Sequence, residues 1–193
     1  MIMLKQTFII ILIIAALLAV YFGSYLPYKK SSLFISVLNN QNQIRTVGDF
    51  KNAFDRVFNF YSPVGGEEVT KFSGNNIDSI VSGEQRPEAE EGMKALAVYL
   101  ESKIFASDVQ HLLTMASIYS NLWFHYQREE YFDRAVDYHL QVLSLGPSLP
   151  HSLYNLFDLY RRHGDKAKAQ EIGQRIVKLW PQDARVIEIL KVL

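Results

Sequence analysis

From Gln6 to Tyr28 the chain carries no charged side chain, and Phe8 to Phe22 is apolar at every position. A run without a polar face cannot pack as an amphipathic helix against a core. At about 1.5 Å per residue, a helix over the uncharged stretch reaches roughly 34 Å, enough to cross a hydrocarbon core of about 30 Å. A cleaved signal peptide ends on small residues, whereas this run closes on Val20-Tyr21-Phe22. The expectation is an uncleaved transmembrane anchor over residues 1–29, touching the bilayer through residues 7–28, with Tyr21, Phe22, Tyr25 and Tyr28 in its interfacial belt. Leu26-Pro27-Tyr28 then predicts an extended step off the membrane, because a proline ring biases the residue before it away from helix.

After this step the apolar positions recur with helical period. Leu33, Phe34, Val37 and Leu38 form one stripe, and the polar stretch Asn39 to Gln43 interrupts it. Gly48-Asp49 predicts a helix stop followed by a cap, ahead of a second stripe at Phe50, Ala53, Phe54, Val57, Phe58 and Tyr61. Ser62 to Arg86 contains Pro63, Gly65, Gly66, Gly74 and Gly83, and is compatible with a short helix around Glu67 to Phe72 or with a flexible connection. Pro87 suits the first turn of a helix through Met93, Leu96, Ala97, Leu100 and Ile104. The organisation expected is an anchor (1–29), a degenerate helical repeat with a linker (30–86), and a helical domain (87–193).

Within the last region one pattern occurs twice with a shift of 34 residues: Asn121 and Asn155, Leu122 and Leu156, Trp123 and Phe157, Tyr126 and Tyr160, Ala135 and Ala169, Leu145 and Leu179, Pro147 and Pro181. A fixed period of this length marks stacked helix-turn-helix units. The large residues give each unit's first helix its apolar face, and the small Ala135 or Ala169 lets a second helix approach closely. Proline then ends the unit. Tyr119, Leu122, Tyr126, Ala135 and Pro147 in one copy, with Leu156, Tyr160, Gly164, Ala169 and Pro181 in the other, resemble the tetratricopeptide repeat. Glu130 stands where that pattern has its turn glycine, and Leu153 replaces the bulky aromatic represented by Tyr119. Asp108 is expected to cap a long helix into the first clear copy, and Asp183 to cap a final helix, Val186 to Leu193, that covers the last one. The fold class expected is all-α: a transmembrane helix followed by an α-solenoid of antiparallel helix pairs.

The resemblance implies a binding scaffold whose inner face is lined by the first helix of each unit. Projected onto this chain, that face holds Ser117, Ser120, Phe124, Gln127 and Arg128 from one unit, with His151, Tyr154, Asp158, Arg161 and Arg162 from the next. Aromatic faces, hydrogen-bonding groups and three guanidinium forks suit an extended peptide or an acidic segment as the protein partner. Asn121 and Asn155 match one element of the family's carboxylate-clamp pattern, but the accompanying lysines are missing.

Composition adds exclusions. Lys5, Lys29 and Lys30 fall within the first thirty residues, leaving 17 basic side chains against 20 acidic in the rest. A near-neutral body offers no electrostatic footprint for nucleic acid. With 0 cysteines, disulfides and thiol chemistry are excluded. The five histidines, His111, His125, His139, His151 and His163, show no metal-binding spacing, and His139 stands where the repeat places a packed aromatic. The glycines form no phosphate loop or dinucleotide fingerprint. Glu88, Glu90 and Glu91 suit a helix amino terminus better than paired-carboxylate catalysis. No cofactor, metal or catalytic residue is therefore expected, and the chain is expected not to be an enzyme.

A second resemblance lies in the order of the amino-terminal pieces. An apolar span, Pro27-Tyr28 with Ser31 and Leu33, Asp49-Phe50 with Ala53-Phe54, and Gly66 with Glu67 and Glu68 is similar to the segment after the last membrane span of some bacterial O-antigen ligase-like proteins. Their many-span catalytic domain has no counterpart in this sequence, so no catalytic residue carries over. The resemblance implies a single-pass protein of a bacterial cytoplasmic membrane with its helical body outside the cytoplasm. The basic residues flanking the span are close to balanced, but a short amino-terminal tail before a large body favours the amino terminus inside. Two roles follow: a scaffold recruiting a protein to the envelope, or a non-catalytic accessory subunit of a multi-span glycan-assembly protein.

Overall fold

The computed structural model describes residues 2–193, with side chains from residue 6 onward; the Lys5 side chain, one of the basic groups flanking the span, lies outside that range. Among the described residues every regular element is helical. Contacts divide the chain into two compact units, residues 1–73 and 74–193.

In the first unit, α1 (Ile2–Val20) continues through a widened turn at Tyr21–Tyr25 into α2 (Leu26–Asn39). Gln6–Asn39 is thus a 34-residue helix, long and apolar enough to cross a membrane. The extended step expected at Leu26-Pro27-Tyr28 does not occur, since Leu26 is helical at φ −64° and ψ −46°. The cause is the wider turn, in which the Leu26 N–H donates to the Tyr21 carbonyl five residues back. Such a turn relieves the crowding that a proline ring imposes on the carbonyl four residues earlier, here that of Gly23. At about 1.5 Å per residue the 34 residues extend about 51 Å, a helical stalk longer than the roughly 30 Å of a bilayer core.

The stalk supports α3 (Val47–Phe58), with the Phe34 ring 6.3 Å from Phe54 and 5.9 Å from Phe72. The start of α3 also departs from expectation. Gly48-Asp49 is not a stop and cap; Thr46 is the cap, accepting the Asp49 N–H at 3.1 Å while Asp49 accepts the Thr46 N–H at 3.0 Å. This reciprocal pair satisfies two of the orphan donors at the helix start and draws Gly48 into the first turn.

The stretch left open between a short helix and a connection contains α4 (Gly66–Gly83), a helix of 18 residues. Val69, Ser73, Ile77 and Val81 recur every four residues and are all buried. The Ser73 hydroxyl is satisfied within the helix by the Val69 carbonyl, at 2.6 Å. Gly74 serves packing, because a Cβ there would lie 2.9 Å from Thr114 Cγ2 and 3.3 Å from Leu100 Cδ2. The glycines that suggest a flexible segment are in this instance a close approach of helices.

The second unit continues with α5 (Glu90–Glu101), preceded by a tight turn at Pro87–Ala89, then α6 (Val109–Tyr126), α7 (Glu129–Leu145), α8 (Pro150–His163), α9 (Lys166–Leu179) and α10 (Ala184–Leu190). From α5 onward each helix packs on the next. The pair α6 and α7 runs antiparallel: Tyr119 stacks on Tyr138 at 5.9 Å, and further along α6 Trp123 meets Phe132, earlier in α7, at 5.4 Å. Ala135 and Ala169 are fully buried. Asp108 and Asp183 cap α6 and α10 by accepting backbone N–H groups.

The turn between α6 and α7 corrects the alignment at Glu130. Its left-handed residue is Gln127, at φ 53°, whereas Glu130 lies inside the first turn of α7. Gly164, at φ 95°, plays that part after α8. Gln127 tolerates the conformation because its side-chain amide donates to the carbonyls of Trp123 and Phe124 at 3.0 and 3.2 Å, satisfying orphan acceptors at the helix end.

Candidate functional site

Facing turns of α6 and α8 enclose a hollow of about 270 Å³, lined by Ser117, Ser120, Asn121 and Phe124 on one side and Asn155, Asp158, Leu159 and Arg162 on the other. Five of the ten residues projected from the sequence meet there: Ser117, Ser120, Phe124, Asp158 and Arg162. The reason is helical geometry, since residues three and four apart share a face. The repeated asparagines join them one from each helix.

The polar groups of the hollow differ in how far they are committed. Ser117 and Asn121 both donate to the carboxylate of Asp78 on α4, each at 3.1 Å. Burial pushes the Asp78 carboxyl above its ordinary range, and the two hydrogen bonds only partly offset that. Ser120 donates back to the Ala116 carbonyl at 2.7 Å. Asp158 receives Arg161 at 3.3 Å and Arg185 at 3.4 Å. The Arg162 guanidinium lies 5.1 Å from the centre of the Phe124 ring, a cation–π arrangement, and among the described residues it meets no carboxylate. Nor does the Asn155 side-chain amide have a hydrogen-bond partner among the described residues. One cation, one amide and one exposed aromatic ring are thus left facing the hollow.

The other five projected residues lie elsewhere. Gln127 closes the end of α6, and Arg128 makes a two-pronged pair with Glu90 at 3.0 and 3.2 Å. That pairing, with a further bond from Tyr131, holds the Glu90 carboxyl below its ordinary range. His151 is exposed in the first turn of α8, and Arg161 turns onto Asp158 within its own helix. Tyr154 donates to Asp183 and stacks on Trp180 at 5.7 Å, facing a second hollow of about 490 Å³ bounded by Leu179, Trp180, Pro181 and Gln182.

Sequence reasoning missed Asp78 and Arg185 because both sit outside the duplicated segment. The recurrence of Asn121 as Asn155 was the signal for the asparagines. His139 packs as expected of the aromatic position: it is 1% exposed, with Nδ1 3.2 Å from the Ser152 hydroxyl.

The arrangement defines a helical chain with a donor-lined cleft between neighbouring helices and one helix able to cross a membrane. No family model, curated protein or solved structure matches this chain.

Proposed function

We propose that the chain is a membrane-anchored scaffold of the tetratricopeptide kind, and that the hollow between α6 and α8 holds an extended segment of a partner protein. The observation behind this reading is the set of Asn155, Arg162 and Phe124 on facing helices, whose amide lacks a hydrogen-bond partner and whose guanidinium lacks a carboxylate among the described residues. An amide can pair with a partner's backbone, a guanidinium with a carboxylate, and an aromatic face supplies contact area. The role is binding rather than turnover. In this reading the body stands at a bacterial cytoplasmic membrane, on its outer side; the apolar helix supports a membrane location, and the likeness of the amino-terminal pieces to O-antigen ligase-like proteins supports the side.

The test uses the full-length protein in cells, with a photoreactive phenylalanine derivative in place of Phe124. A discrete adduct is expected there, and none from the same group at Gln141 on α7. Asn155→Ala with Arg162→Ala should lower the adduct yield by about tenfold, equivalent to roughly 1.4 kcal/mol, while helicity and membrane association persist. An undiminished adduct in the double variant would overturn the assignment of the hollow. Identification of the adduct separates the two roles. A multi-span glycan-assembly protein favours the accessory subunit, and a soluble protein favours recruitment.

A further inference from the structure

The segment joining α3 to α4 has its polarity reversed. Between Asn59 and Gly65 the hydroxyl of Ser62 is buried and lacks a hydrogen-bond partner among the described residues, while Tyr61, Pro63 and Val64 point outward. Tyr61 is 68% exposed and Val64 59%. Burying a hydroxyl without a partner is costly, and in this loop that burial accompanies the exposure of two large side chains.

Its position is set by the stalk. The Lys30 ammonium donates to the Phe60 carbonyl at 3.2 Å, and the Cβ position of Gly65 lies 3.7 Å from Lys30 Cδ. Gly65 itself is left-handed, at φ 87°, a conformation that favours glycine and closes the loop back against the stalk. Lys30 is only two residues beyond Tyr28, at the end of the uncharged span. Helical side chains lean toward the amino terminus, here the membrane side, so the ammonium and the loop it holds are drawn toward the level of Leu26. Leu26, one turn nearer the membrane on the same face, is 6% exposed, whereas Tyr25 and Tyr28 beside it are exposed.

We propose that the Asn59–Gly65 loop is a second membrane contact, seating Tyr61 and Val64 in the headgroup interface alongside the aromatic belt of the transmembrane helix. The occupant of this surface is the bilayer, because the outward apolar groups belong to a loop held by Lys30, two residues beyond the exposed Tyr28 at the end of the apolar span. Tyrosine suits this depth, with its ring among acyl chains and its hydroxyl among headgroups. The loop would then limit tilt and rotation of the stalk by a contact on one side of it. This inference rests on the anchor reading, and the experiment tests the two separately.

The native chain has 0 cysteines, so one introduced cysteine takes a nitroxide label uniquely. Full-length Val64→Cys, Phe22→Cys and Gln141→Cys, each labelled and reconstituted in liposomes of phosphatidylethanolamine and phosphatidylglycerol, are compared by collision with oxygen and with a water-soluble nickel chelate. The oxygen-to-nickel ratio at residue 64 should exceed that at residue 141 several-fold and approach that at residue 22. A ratio at 64 equal to that at 141, with 22 still lipid-like, overturns the loop contact and leaves the anchor standing. Water-like ratios at both 22 and 64 overturn both.

Discussion

His139 is a titratable group enclosed between α7 and α8, with no charged partner among the described residues. Burial, with His151 nearby, pulls its value from the usual 6.5 down to about 4, so the folded state holds it neutral. The sign follows: above about pH 6.5 both states are neutral and its contribution is intact, while below that the unfolded chain takes up a proton that the folded chain refuses. Stability should therefore fall as the pH drops from about 6.5 toward 4, by about 3 kcal/mol from this residue. Urea midpoints of wild type and His139→Leu across that interval isolate the contribution, and the variant should show the shallower pH dependence. Parallel curves would place the imidazole in contact with water.

At the scale of elements, α4 shows how one glycine can be a packing residue and another a mere helix end. Gly74 faces Thr114 and Leu100 at distances a methyl group cannot share, whereas a Cβ on Gly83 meets nothing within 4 Å. Gly74→Ala should destabilise by roughly 1 to 3 kcal/mol through overpacking, less about 1 kcal/mol recovered from helix propensity. Gly83→Ala lacks the overpacking and should be neutral or slightly stabilising. Thermal melts of the two variants side by side check this. Equal melting temperatures would mean that α4 does not approach α5 and α6 as closely as described. Ala135→Leu, at a fully buried site in α7, should likewise lower the melting temperature by overpacking of about 1 to 3 kcal/mol.

For the whole molecule the decisive element is the apolar helix. Replacing Ile13, near the middle of the span, with Arg introduces a charge that costs about 2.5 to 3.5 kcal/mol on the insertion scale. The variant should leave the membrane fraction or fail to insert, and fractionation after carbonate extraction measures this. A mature chain beginning near Tyr25 would instead show a cleaved leader, and the proposed anchor and loop contact would both fall.

The duplicated pattern of 34 residues, the apolar run and the caps at Asp108 and Asp183 were legible along the chain because helical period and capping are local properties of the backbone. Those features were enough to specify an all-helical chain, buried alanines at 135 and 169, and one helix able to span a bilayer. Which polar side chains remained available was not legible. Arg128 is taken by Glu90, 38 residues away, and Asn121 by Asp78, 43 residues away. The same holds for Pro27, which bends its local rule because a wider turn precedes it, and for Gly74, whose reason lies in the helices it touches. Long-range contacts decide these cases because a hydrogen bond or a steric limit depends on what stands opposite in space, and helix period along the chain carries no record of that.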